Sequence, residues 1–210
     1  MQTIKPVILL DLDNTLFDTL SYRKSVFTKI GNFSVCQEIY DEMMRGRGYF
    51  LPEAFAKIVS ERLGKRKEKI MDILFDPKTF KDKLHKEVLG SLKKLTLIGE
   101  VGILSQGNKK FQSAKIIHFQ HLLNSSHVHI VADKKLDMLS IFKNLSDYKV
   151  YFVDDILPML QAAKKIDPSI VTIWIRRGRY AQGQKEIPGF KPDAEVMNLK
   201  EVVSVINSKL

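Results

Sequence analysis

Two aspartates two residues apart close an apolar run near the start of the chain, Val7-Ile-Leu-Leu-Asp11-Leu-Asp13-Asn-Thr15. In a strand, side chains two apart leave the same face, so Asp11 and Asp13 are expected to point together while Leu10 and Leu12 point away. Carboxylates crowded together repel, and a shared proton or a divalent cation relieves them; an all-oxygen donor set suits a hard ion such as Mg2+. Asp154 and Asp155 end another apolar run and add two candidate metal ligands. Ser105, Gln106, Gly107 and Asn108 follow a third run, where a hydroxyl and free amides at a glycine-containing helix start suit a phosphate, although a plain helix cap explains them as well. Lys134 and Lys135 open a further helix at its positive end, where a lysine is disfavoured unless it faces a phosphate or carboxylate.

Such side chains need a frame. Val7 to Leu10 are apolar at consecutive positions, which fits a strand covered on both faces in a parallel sheet, and sites in such sheets lie beyond the carboxyl ends of the strands. From residue 99 onward, β-rich runs at Glu100 to Ser105, Val128 to Ala132, Val150 to Asp154 and Ile170 to Arg176 alternate with amphipathic segments. Those segments are marked by Phe111, Ala114 and Ile117; by Leu136, Leu139, Phe142 and Leu145; and by Met159, Ala162, Ala163 and Ile166. Alternation of this kind implies right-handed βαβ units. Residues 19 to 98 show only four-residue periodicities, in Tyr22, Val26, Ile30; Val35, Ile39, Met43; and Phe80, Leu84, Val88, Leu92. We therefore expect an α/β chain: a Rossmann-like, doubly wound parallel sheet from residues 1–18 and 96–210, with an all-helical cap at 19–95 inserted after the first strand. The last helix of that insertion is expected from about Thr79 to Leu95, and Asn198 with Glu201 reads as a capping box opening a final helix.

Composition narrows the function classes. The chain has 210 residues, 44% of them hydrophobic, and a single cysteine, Cys36, which excludes an internal disulfide and any multi-cysteine zinc site. Cys36 sits among Val35, Ile39 and Met43 and reads as a buried residue. No apolar run approaches membrane-spanning length, and the first strand begins within a few residues of Met1; a soluble, cytoplasmic protein that does not engage a membrane is expected. The net charge of +10 raises nucleic acid as a partner, but the excess is scattered, and a solvated lysine-rich surface is the plainer reading.

Taken in order, Asp11-Leu-Asp13-Asn-Thr15, Ser105, Lys134 or Lys135, and Asp154-Asp155 resemble the four motifs of the haloacid dehalogenase superfamily, most of whose members are Mg2+-dependent phosphatases. The resemblance runs from Val7 to Leu210 and puts the helical insertion where the family carries its mobile cap. It implies that Asp11 attacks phosphorus to form an aspartyl phosphate, and that Asp13 serves as general acid and then general base. It also implies that Mg2+ is held by Asp11, the Asp13 backbone carbonyl, Asp154 and Asp155. Ser105, Gln106 and one lysine would hold the phosphoryl oxygens; Lys135, four residues before Leu139, is the favoured lysine. Pro158 stands where many relatives place the second acid of the fourth motif, which leaves Asp155 as the candidate. Dehalogenases of the superfamily lack the second aspartate, because a halide leaves without a proton, so Asp13 favours a phosphatase. The expected substrate is a small phosphomonoester. A phosphomutase or phosphotransferase of the same superfamily is one alternative; another is a basic, non-catalytic module binding RNA or a protein through Arg176, Arg177, Arg179 and Tyr180. Arg45-Gly-Arg-Gly-Tyr-Phe50 reads as an interhelical turn with solvated arginines, with reach into the cleft as its functional alternative.

Overall fold

The computed structural model describes residues 5–209, apart from the side chains of Arg47 and Arg179. Strands β1 (Val7–Leu10), β2 (Glu100–Gln106), β3 (Val128–Val131), β4 (Val150–Asp154), β5 (Val171–Ile175) and β6 (Ala194–Val196) form one six-stranded sheet, ordered β3-β2-β1-β4-β5-β6. Every pairing is parallel. Strand β1 lies in the middle and is buried on both faces, which is why its four residues are apolar without alternation. Val7 and Leu9 pack on Met138 and Phe142 of α8 (Lys134–Lys143) and on Leu160 of α9 (Leu157–Ile166). Ile8 and Leu10 face Leu92 and Leu95 of α6 (Val88–Ile98), Phe111 of α7 (Lys109–Ile116), and Val202 and Ile206 of α11 (Leu199–Ser208). Leu9 lies beside Gly102 of β2, where any Cβ would press on the His127 carbonyl and the Leu9 side chain.

The strand order reverses direction at β1 and β4, and open α/β sheets bind ligands at such a switch point. The register sets Leu10 beside Val153, so the next residues on each strand, Asp11 and Asp154, emerge side by side. The Asp11 amide still donates to the Val153 carbonyl, at 2.8 Å.

Between β1 and α6 come α1 (Thr19–Ile30), α2 (Phe33–Arg47), α3 (Pro52–Leu63), α4 (Lys67–Leu74) and α5 (Pro77–Asp82). Their ends follow ordinary capping chemistry: the Asp18 and Asn32 side chains accept from Ser21 N and Val35 N, Pro52 opens α3, and Gly48 closes α2 in the left-handed region at φ 75°. Phe27 stacks on Phe55 with ring centroids 5.4 Å apart, and Cys36, Ile39, Val59 and Ile70 are buried around them. Asn198 accepts from Glu201 N as the capping box requires. Among the described residues, no helix is long and apolar enough to cross a membrane.

Two expectations are corrected. The single helix from Thr79 to Leu95 is two, α5 and α6, because residues 83–85 are diverted to pair with the segment after β1: Asp18 N donates to Lys83 O and His85 N to Leu16 O, at 2.8 and 3.1 Å. Strand β6 and the short α10 (Gly178–Gly183) were not anticipated; β6 has three residues and only Val196 fully buried, too little apolar pattern to be read as a strand.

Candidate active site

The chain leaves β1 through a compact turn. Leu16 N and Phe17 N both donate to Leu12 O at 3.0 Å, Asn14 N donates to Phe17 O at 2.8 Å, and Asn14 takes φ 59°, a conformation asparagine tolerates. Asp11 and Asp13 flank the start of this turn and acquire different partners.

Asp11 joins Asp154 and Asp155, with carboxylate oxygens of all three within 4.8 Å of one another. Lys134 lies in their midst: its Nζ donates to an Asp11 oxygen and, at 2.9 Å, to Asp154 Oδ2. Asp154 Oδ1 accepts from Ile156 N at 2.7 Å, and Asp155 Oδ2 accepts from Asn14 Nδ2 at 3.3 Å. Three buried carboxylates share one ammonium. Burial and mutual repulsion accordingly push Asp11 and Asp155 above the ordinary carboxylate range, with Lys134 only partly offsetting this. Burial also opposes the charge on Lys134, but Asp11 and Asp154 outweigh it and raise its pKa. An all-oxygen cluster with uncompensated negative charge fits a hard divalent cation such as Mg2+.

Asp13 is outside this cluster, so its side chain does not join the carboxylates expected around the metal. The reason is a separate set of donors: Lys115 Nζ reaches its Oδ1 at 2.6 Å, Gln112 Nε2 its Oδ2 at 2.6 Å, and the Thr19 hydroxyl also donates to Oδ1. Burial works against ionisation of Asp13, yet Lys115, Gln112 and Thr19 prevail and hold it below the usual carboxylate range. Lys115 is itself buried, 5.0 Å from the Phe17 ring centre and 4.8 Å from that of Phe111. Gln112 Nε2 additionally donates to Ser105 Oγ at 3.1 Å and Gln106 O at 3.0 Å, linking the end of β2 to Asp13.

Ser105 is buried at the end of β2, and Gln106 Oε1 accepts from Lys134 N at 3.2 Å, fixing the start of α8. Lys135, the favoured lysine, is exposed and has no part in the cluster; Lys134 occupies that place. Asp133 caps α8 and sets its phase, so the buried face carries Lys134, Met138, Ile141 and Phe142, while Leu136 and Leu139 are 76% and 48% exposed. A similar slip hid Lys115 and Gln112. Helix α7 buries Phe111, Gln112, Lys115 and Ile116, and Ile117 is exposed. Thr19 and Asn14 were likewise missed as partners of Asp13 and Asp155.

The basic and glycine-flanked stretches are placed elsewhere. Arg177 donates to Thr15 O and Glu87, and Arg176 pairs with Glu195 while lying over the Trp174 ring, so both are engaged within the fold; the Arg179 side chain lies outside the described residues. Arg45 is exposed, in a surface groove with Glu38 and Asp41, and the Arg47 side chain also lies outside the described residues. Phe50, by contrast, packs inward on Phe111 at 5.2 Å between centroids.

No protein-family model and no curated protein matches the chain. Solved structures do. A Burkholderia xenovorans LB400 protein assigned as a haloacid dehalogenase-like hydrolase superposes with a TM-score of 0.78 at 24% identity, over 98% of each chain. The HAD-hydrolase YfnB of Bacillus subtilis, solved with magnesium bound, gives 0.63 at 11% identity over 98% of this chain and all (100%) of its own. The 2-haloacid dehalogenase of Pseudomonas syringae pv. tomato DC3000 gives 0.59 at 18% identity, over 99% of this chain and 100% of that one. The fold is that of haloacid dehalogenase-like hydrolases, as the motif order suggested.

Proposed function

We propose that the chain is a Mg2+-dependent phosphomonoester hydrolase acting through an aspartyl-phosphate intermediate, with α1 to α5 roofing the site as a cap. The observation that carries this reading is the division of labour between the two aspartates. Asp11 lies in the metal-ready cluster, whereas Asp13 stands outside it, in a separate network suited to moving protons. An Asp11 oxygen attacks phosphorus as the bond to the leaving oxygen breaks, and Asp13 delivers a proton to that oxygen. Asp13 rests ionised, so the proton it passes to the leaving oxygen is drawn from Lys115, 2.6 Å away. Water then attacks the aspartyl phosphate, giving a proton to Asp13, which returns it to Lys115, and releasing phosphate and free Asp11. Lys134, Ser105 and the Gln106 backbone hold phosphoryl oxygens. Asp11, Asp154 and Asp155, with the Asp13 carbonyl, would hold Mg2+, which neutralises charge on the transferring group when bound.

The test is phosphate release from p-nitrophenyl phosphate and from a panel of phosphorylated metabolites. Activity should require Mg2+, vanish with EDTA and vanish in Asp11→Asn; an active Asp11→Asn protein refutes the nucleophile. A second reading is favoured by the resemblance to structures described as 2-haloacid dehalogenases. Halide release from 2-chloropropionate that needs no metal would establish it instead.

A further inference from the structure

Three cations near the two aspartates are engaged with acidic groups. Lys134 is held by Asp11 and Asp154, Lys115 by Asp13, and Arg177 by Glu87. Arg23 of α1 makes no ion pair among the described residues, and its Nε is buried without a hydrogen-bond partner. This is not a remote surface arginine. Arg23 follows Thr19 by four residues on the same helix, so the two side chains leave one face of α1 about one turn apart, and Thr19 is the residue that donates to Asp13. The guanidinium lies 4.6 Å from the centre of the Tyr40 ring, and the Tyr40 hydroxyl feels both Arg23 and the Asp13 carboxylate.

The surrounding wall is aromatic. Tyr40 packs on Phe50 at 5.6 Å, Phe50 on Phe111 at 5.2 Å, and Lys115 lies against Phe111 beside Asp13. In this setting a guanidinium whose partner is the neutral Tyr40 side chain carries a desolvation cost that only an anion offsets well, and its planar donor fork matches two oxygens of a carboxylate or phosphate. The proton from Asp13 goes to the leaving oxygen, so the leaving alcohol must lie on the Asp13 side, to which Arg23 is linked through Thr19 on its own helix and through Tyr40.

Resting on the phosphomonoesterase reading, we propose that Arg23 is a specificity residue that binds a second oxyanion, a carboxylate or another phosphate, carried on the alcohol portion of the substrate. The enzyme would then prefer phosphorylated hydroxy acids or bisphosphates to neutral alkyl phosphates.

The experiment compares kcat/KM under Mg2+ for three two-carbon substrates: ethyl phosphate, 2-phosphoglycolate and ethane-1,2-diyl bisphosphate. A charge-assisted, bidentate contact predicts about a 10- to 100-fold preference for a charged member over ethyl phosphate; whichever member leads identifies the oxyanion. Arg23→Gln should bring that ratio close to one, and Arg23→Lys should retain part of it. A wild-type enzyme that hydrolyses all three equally overturns the proposal without recourse to any variant, and so does a preference that survives in a folded Arg23→Gln protein. A wild-type enzyme that hydrolyses none of the three or the wider metabolite panel overturns the phosphomonoesterase reading itself, and this inference with it.

Discussion

Replacing Lys134 with methionine keeps an unbranched side chain, one atom shorter, and removes the ammonium that bridges the acidic cluster. Lys134 is 3% exposed, its partners Asp11 and Asp154 are 6% and 0% exposed, and Asp155 is buried beside them. Removing one partner from a buried pair typically costs about 3–5 kcal/mol, because the remaining charges are stranded. For a chain of this size each kcal/mol lowers Tm by roughly 2–4 °C, so Lys134→Met should melt about 6–20 °C below the wild type in EDTA at pH 8. The loss should depend on pH. Asp11 and Asp155 have folded-state pKa values raised above their unfolded values, so the folded protein binds more protons than the unfolded chain, and stability falls as pH rises out of the ordinary carboxylate range. Without Lys134 those pKa values rise further, which makes the deficit largest at alkaline pH and smaller toward pH 5. Mg2+ should restore stability, by about 2.7 kcal/mol at one hundred times its Kd. Thermal melts of both proteins between pH 5 and 9, in EDTA and in Mg2+, measure all of this. A Tm difference under 3 °C at pH 8, or one that does not vary with pH, refutes the assignment of Lys134 as the counter-charge of this cluster.

Other substitutions separate neighbouring roles. Lys135→Met, at an exposed position one residue away, should stay within about twofold of the wild type in the proposed phosphatase assay and within a degree or two in Tm, as ordinary surface changes do. Asp13→Asn should slow hydrolysis of alkyl phosphates far more than of p-nitrophenyl phosphate, whose leaving group needs little protonation; equal slowing of both would remove Asp13 from the proton-transfer step. Gly102→Ala should destabilise the protein by about 1–3 kcal/mol in a denaturant melt, because its Cβ meets backbone at His127 and the Leu9 side chain in the central sheet.

The sheet was legible because buried parallel strands announce themselves: Val7-Ile-Leu-Leu and Val150-Tyr-Phe-Val are apolar throughout, and each ends in the acids that the register brings together. The helices were legible in kind but misread in phase. In α7 and α8 the buried stripe includes polar residues, Gln112 and Lys115 in one and Lys134 in the other, because part of that stripe faces the site and not the core. A search for apolar periodicity therefore rotates each helix onto Ile117 or Leu136 and Leu139, which face solvent. Cation and amide partners of buried acids lie on the stripe a hydrophobic pattern would occupy, and only coordinates reveal the exchange. The break between α5 and α6 was hidden for a related reason: Leu84 keeps the helical spacing, but the backbone around it is bonded to the segment following β1, across more than sixty residues.

That pairing has a mechanical consequence. The chain enters the helical insertion at Asp18 and leaves it near His85, and backbone hydrogen bonds join the exit and entry segments at both points. The insertion thus hangs from a two-stranded hinge rooted in the same turn that begins at Asp11. Thr19, the first residue beyond that hinge, holds Asp13. If these helices serve as the proposed cap and swing about that connection, the movement must either carry Asp13 along or break its bond to Thr19, which would tie the proposed proton-transferring residue to the position of the roof.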